Sequence, residues 1–509
     1  MKSRYFVVLL ALVVNFSTSC EDFLEEEPKA LLSPDVLFSD LNGASIVMIS
    51  AYDKLKKGWG HRSLVTLVEN QSDLIQAKGS WASNSDFDQP LNSVNIGRSN
   101  NVWRRCYESI NICNTVLAQV ENMAVLPSQE EEKAALLGEA RFVRALSYYY
   151  LVRLYGPVPI RTGTTTTPDE ASEGVARTPE SEVYDQLIVP DLQFAEQNCV
   201  DEWDDSNMGR ATRWAAKALL AEVHLTTENW PEARRLAKEV IDSDMFSLVM
   251  VNQPDDFLQI YGADVVRHSE EIFSFKYSNV INGIGNWEAQ FANGFNGGLY
   301  TVGNAGWNGH NANYTNPIVV NWSDDDFRKE FSTYFTIVLP DGTVDSVGFD
   351  ARGVKHAHIR KWQDNAAPNI TEAGNDIPVL RLPDMLLVHA EATAMENGGV
   401  EIAEAVESLN QVRRRAYGYD PAQASPIDYP PAGSYAGSFR DSVLVERSYE
   451  FFGEAKRWYD LLRTNTTAQA IETAFPELTF NPVRLRFPLP FEEIQNNSEI
   501  SADDQNLGY

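Results

Sequence analysis

Cysteine is scarce in this chain: four residues in 509, at positions 20, 106, 113 and 199. So few excludes a scaffold built on disulfides, and no spacing among them suits a metal knuckle. Cys106 and Cys113 stand two helical turns apart, about 10 Å along a helix axis, too far to bond to each other. Either can in principle meet Cys199, and buried free thiols are the expected state. Basic residues are also short, with 42 Lys and Arg against 72 Asp and Glu, a net charge of −30. A nucleic acid needs a basic footprint, which argues against that ligand; the charge is read as solubility and mutual repulsion. After Val14 no apolar run approaches the roughly 20 residues of a membrane span. Catalytic signatures are missing: there is no G-x-S-x-G elbow, no H-E-x-x-H, no phosphate-binding glycine loop and no dinucleotide fingerprint. His356 and His358 would share one face of a strand but have no third ligand. Asp324, Asp325 and Asp326 lack the glycine turn and distant Glu of an EF-hand loop and read as an acidic turn or helix cap. No catalytic residue, metal or cofactor is assigned, and nothing requires a carboxylate pair for glycoside hydrolysis.

The chain begins with Lys2 and Arg4, an apolar run from Phe6 to Val14, and the small residues Ser17, Thr18 and Ser19 before Cys20. This is a secretory signal peptide over residues 1–19. The strongest helical signal lies at 129–155, where Phe142, Val143, Leu146, Tyr149, Tyr150 and Leu154 recur at three- and four-residue intervals. Glu139, Arg141, Arg144 and Arg153 alternate with that stripe, and Gly156, Pro157 and Pro159 end it. A stripe this wide needs helices on more than one side, so this segment is the expected hub. Further helices are predicted at 42–57, 102–120, 182–197, 382–397, 400–416 and 439–463, with a possible one at 65–75. The pair over 211–244, with small residues at facing positions and a repeat of about 34 residues, looks like a tetratricopeptide unit. Two segments break the pattern. Residues 78–101 are polar and interrupted by Gly79, Pro90 and Gly97, and read as a long loop; 278–322 is dense in Gly and Asn with aromatics spread along it.

Cys20 directly after small residues resembles the lipobox of bacterial lipoproteins, which implies that Cys20 is the acylated first residue of the mature chain. Acyl chains contribute roughly 0.8 kcal/mol per buried CH₂ and would anchor a body without a span. Glu21, Asp22, Glu25, Glu26 and Glu27 resemble the acidic signal that sends some lipoproteins to the outer face of the outer membrane. RLPDMLLVHAEATAMENG from Arg381, SLNQVRRRA from Ser408, ERSYEFFGEAKRWYDLLR from Glu446, FPLPFEEIQNN and the terminal QNLGY stand in the order seen in the SusD/RagB family. EARFVRALSYYYLVRLYGPVPI from Glu139 is similar to that family's N-terminal half. Gly453 and Ala455 depart from it, standing where the family more often has an aromatic and a glycine.

The resemblance implies a mainly α, SusD-like fold, with about four tetratricopeptide-like helix pairs carrying a loop-rich region with short strands. Residues 20–509 would be one domain, comprising a helical half at 20–265, a ligand-binding insertion at 266–380 and a helical region at 381–509. It also implies a non-enzymatic surface lipoprotein that captures oligosaccharides for a SusC-like TonB-dependent outer-membrane transporter. Peptide capture, as in the RagB branch, is the alternative. Pyranose rings stack on aromatic side chains while their hydroxyls seek amides and carboxylates. The family places such residues in two loop regions, which here hold Asp73, Trp81, Asn84, Asp86 and Asn101, then Trp287, Tyr300, Trp307, Tyr314 and Trp322. Trp81 and Trp307 are expected to be the most exposed. Arg413, Arg414, Arg415, Arg457 and Arg463 are expected to pair with helix carboxylates.

Overall fold

The structure, a computed structural model, describes residues 34–509 except 61–63, 78, 166, 168–169, 171–172, 282–283, 288–309, 335, 339–343, 347–356, 365, 370 and 431–436. Its first half carries helices α1 (Leu41–Gly60), α2 (Leu64–Glu69), α3 (Ser93–Glu121), α4 (Glu130–Tyr155), α5 (Val189–Asn198), α6 (Arg213–Thr226) and α7 (Trp230–Ile241). Helices α8 (Leu382–Glu396), α9 (Ala403–Ala416), α10 (Phe439–Glu450) and α11 (Arg457–Arg463) form the C-terminal set. The long helices pack in succession, α1 on α3, then α4, α5, α6 and α7, and α7 lies directly on α8, which packs on α9. The pairs α1–α3, α4–α5, α6–α7 and α8–α9 match the number that the family resemblance implies, and α6–α7 is the one read from the sequence at 211–244.

α4 is the hub. Phe142, Val143, Leu146, Tyr149, Tyr150 and Leu154 are all buried, and fully burying a large apolar side chain stabilises by roughly 1.5–3 kcal/mol. Partners on several sides also enclose its polar positions. Glu139 takes a bidentate ion pair from Arg210, with the Tyr52 hydroxyl donating to it as well. Arg144 pairs bidentately with Asp191 at 2.8 and 2.9 Å. The Arg153 guanidinium lies 3.6 Å from the Tyr149 ring centroid and 3.7 Å from that of Tyr459. Gly138 is required by close approach: a Cβ there would stand 2.9 Å from the Cys199 sulfur. Cys106, Cys113 and Cys199 are buried free thiols, as expected.

The loop-rich segment is spliced between α7 and α8, and its ends are zipped together. Strand β2 (Glu271–Phe275) pairs antiparallel with β6 (Ile377–Arg381), Ile377 opposite Phe275. Between them run β3 (His310–Ala312), β4 (Thr333–Tyr334) and β5 (Ala357–Ile359), which join β1 (Ile75–Ala77) in one antiparallel sheet of order β1-β3-β5-β4. The turn after α2 thus contributes an edge strand to the insertion. A separate core lies beneath it, including Tyr261, Trp322, Phe331, Trp362, Tyr449 and Phe452.

Several boundaries differ from the sequence reading, among them the start of α3 at Ser93, within the expected loop over 78–101. Residues 65–75 are helix only as far as Glu69, and a turn over 70–74 leads into β1 at Ile75. The single helix expected over 439–463 is two, because Gly453 and Ala455 hold φ of +80° and +58°. The break turns the Gly453 and Ala455 N–H groups onto the Glu69 carboxylate at 3.1 and 2.7 Å. The two residues that depart from the family pattern therefore build a specific anion cradle, although burial still pushes the Glu69 carboxyl up to about 7.

A buried ionic network joins the insertion to the C-terminal helices. Arg381 donates to Glu270, Glu450 and Glu454, and Arg415 to Glu270 and Glu450. Lys361 reaches Glu454, and Arg328 reaches Asp326, Glu446 and Glu450. Burial raises the Glu450 carboxyl, and Arg415, Arg381 and Arg328 more than reverse this, leaving it well below the usual range. Arg413, Arg414, Arg457 and Arg463 also have carboxylate partners. His268 stands at the edge of this charge. Burial, followed by Arg381, Lys276 and Arg415, pushes its imidazole down to about 3. The unfolded chain takes that proton near pH 6.5 while the folded chain refuses it, so stability present above pH 6.5 is lost as pH falls towards 3. Between pH 7 and pH 4 the wild type should lose about 2–3 kcal/mol relative to His268→Gln in urea unfolding. A difference that does not vary with pH would contradict this.

Candidate ligand-binding site

The predicted site residues fall into three groups. The first is locked into the scaffold. Asp73, in the turn between α2 and β1, receives both Nε and an NH2 of Arg457 at 2.8 and 2.9 Å, and Asn316 donates to its carboxylate and carbonyl. Trp81 lies in a 3₁₀ turn, Gly79–Ser85, and is 1% exposed, contrary to the expectation of a presented ring. The reason is a clamp from two distant elements. The Arg98 guanidinium of α3 sits 3.2 Å from the Trp81 ring centroid. Arg484, from the C-terminal segment, donates to the carbonyls of Ser83, Asn84, Asp86 and Gln89 and to the Gln71 side chain. Asn84 is buried by the same clamp. Trp322 is also internal: it stacks on Tyr449 at 4.8 Å and 12° and donates from Nε1 to Asp326. Asp326 in turn caps the short helix Phe327–Ser332, in line with the helix-cap reading of the acidic run.

The second group reaches the surface. Asp86 is exposed, and Trp287 and Tyr314 are half-buried. Trp287 follows Asn286, which bridges to Ala373. Burial, with Asp324 adding to it, pushes the Tyr314 phenol up to about 12. Asn101 is half-buried but not in a loop: α3 begins eight residues earlier, at Ser93, where the Asn92 side chain accepts from the Asn95 N–H. The Asn-Ser pair at 92–93 is a capping signal that could have placed this start. The third group, Tyr300 and Trp307, lies outside the described residues, as does Cys20.

Several polar side chains here have atoms without partners among the described residues; of these the sequence reading singled out Asn84, and the others escaped it. The carboxamides of Asn70, Asn84 and Asn311, the Gln71 Nε2 and the Ser72 hydroxyl are buried and have no hydrogen-bond partner among the described residues. They belong to the turn before β1, the 3₁₀ turn after it, and β3, where Asn311 stands opposite Gln76. Each such group left unpaired costs about 1–3 kcal/mol. A carboxamide offers donor and acceptor together, the pairing a sugar hydroxyl or a peptide group requires.

Comparison with known proteins bears on both halves of the chain. Residues 22–225 match the family model described as "Starch-binding associating with outer membrane". Residues 286–509 match the model of the SusD family. SusD-like protein P25 of Formosa agariphila is 26% identical over 559 residues, covering 100% of both chains. A solved laminarin binding SusD-like protein has a TM-score of 0.72 at 23% identity, covering 92% of this chain and 99% of its own. Surface glycan-binding protein A from Bacteroides fluxus has a TM-score of 0.70 at 20% identity, with 92% and 99% covered.

Proposed function

From the chain's membership of the SusD/RagB family, we propose that it captures an oligosaccharide at the cell surface and passes it to a SusC-like TonB-dependent outer-membrane transporter. The observation that carries this reading is the match of two family models in order, at 22–225 and 286–509. Two proteins of the same fold, named for binding laminarin and surface glycans, support a carbohydrate ligand. In this reading the protein binds without catalysing a reaction, and acyl chains on Cys20 hold it to the membrane.

The loop-rich insertion suits capture mechanically. Its ends are zipped by β2 and β6, and its sheet takes a strand from the N-terminal half, so ligand contacts rest on rigid elements. Trp287, Tyr300, Trp307 and Tyr314 are the proposed stacking rings, with Asp86 and the polar side chains of Asn70, Gln71 and Asn311 around β1 and β3 as hydroxyl partners, whereas Asn101 lines a separate cleft on α3. Asp73, Trp81, Asn84 and Trp322 act one step back, fixing the segments that carry those groups. Cells expressing the protein should bind fluorescent polysaccharide at their surface, and Cys20→Ala should release that binding to the soluble fraction. Surface binding unaffected by Cys20→Ala would refute the anchor.

A further inference from the structure

A large open cavity among the described residues lies away from the insertion. It runs along one face of α3, with a volume of about 620 Å³, within the usual range for small-molecule sites. Asn100, Asn101, Arg104 and Tyr107 project from the helix, three and four residues apart. Residues 161–165 form the second wall, and Pro490 with helix α12 (Phe491–Asn496) the third.

The walls are built rather than incidental. Asn111 clips Thr165 through both its amide atoms, at 2.8 and 3.3 Å. Asn114 donates to the carbonyls of Arg161 and Gly163 at 2.9 and 3.1 Å. The Tyr107 hydroxyl donates to the Pro159 carbonyl at 2.8 Å, which fixes its ring beside Trp103 at 5.0 Å between centroids. The α12 side is tied down by Asn497, which exchanges hydrogen bonds with the Val175 backbone. Against this fixed frame, the Asn100 carboxamide oxygen is buried and has no partner among the described residues.

We propose that this cleft is a second carbohydrate-binding site, taking a short neutral segment of the same glycan that the insertion captures. The inference rests on the glycan reading above. Its charges nearly balance, Arg104 and Arg161 against Glu108, Glu492 and Glu493, so neither a polyanion nor a polycation is favoured. Aromatic surface beside amides and single charges fits a polyol whose ring faces are apolar. Two sites on one protein would hold a long polysaccharide more tightly than either alone, through effective concentration.

Gly97 and Gly163 both line the cleft, and a Cβ added at either meets nothing within 4 Å. Gly97→Phe or Gly163→Phe therefore fills the cleft without disturbing its frame, and unchanged thermal unfolding would verify that the variants fold. The probes are neutral hexaoses of glucose with β-1,3, β-1,4 or α-1,4 linkages, read by hydrogen-exchange mass spectrometry and titration calorimetry. The wild type should show protection both at 70–85 with 310–320 and at 97–114 with 490–496. Each filled variant should lose the second protection alone and bind long chains about tenfold more weakly. Protection confined to the insertion, with filled variants binding as the wild type does, overturns the cleft proposal and leaves the glycan reading standing. No protection at either region by any hexaose, together with no binding to any polysaccharide of a wider neutral and acidic panel, removes both.

Discussion

Replacing Arg381 with Met should lower the free energy of unfolding by about 3–5 kcal/mol. Arg381 is fully buried and donates to Glu270, Glu450 and Glu454. Met keeps the length of the stem and some of its contacts, so the loss isolates the charge. Arg415 still serves Glu270 and Glu450, and Lys361 still serves Glu454, which is why the chain should fold at all. Those three carboxylates are then left, out of reach of water, with Arg415, Lys361 and an Arg328 that Glu450 shares with Asp326 and Glu446, and removing one partner of a buried set costs more than the set contributes over apolar residues. Urea unfolding measures the loss. Glu454→Gln in the Arg381→Met background should recover more than 1 kcal/mol relative to additivity. Purely additive losses would mean that the network acts as independent pairs.

Asp73→Ala should also destabilise by about 3–5 kcal/mol, because it strands the Arg457 guanidinium in the interior. This variant separates two roles. A residue that touches ligand loses affinity while stability is kept; a residue that holds a segment loses stability while the folded fraction still binds. The geometry assigns Asp73 the second role: its carboxylate is occupied by Arg457 and Asn316. Affinity of folded Asp73→Ala should stay within about threefold of wild type, about 0.6 kcal/mol, and Arg457→Met in the same chain should restore part of the stability. A stable Asp73→Ala that no longer binds would return Asp73 to the list of ligand contacts.

The scaffold was legible because its signals are local. Apolar positions three and four residues apart announced α4, and the facing small residues of 211–244 announced the α6–α7 pair. The fate of the loop residues was not legible, because it is decided by partners far along the chain. Trp81 reads as exposed among Gly, Ser and Asn, but Arg484, 403 positions away, closes over its turn. Glu69 gives no hint that two N–H groups beyond position 450 will turn towards it. Asn101 reads as loop because polar residues and Gly97 hide the first two turns of α3, where tertiary packing overrides a weak helical pattern. Gly453 and Ala455, read as departures from a family pattern, proved to be the means by which one helix becomes two.

The account stands on the ligand being a glycan. The most direct measurement is titration calorimetry of residues 21–509 with a panel of neutral and acidic polysaccharides, their hexaoses, and a pool of short peptides. Saturable binding to at least one glycan class, with no heat from the peptides, is the predicted result. Binding to peptides alone would contradict it.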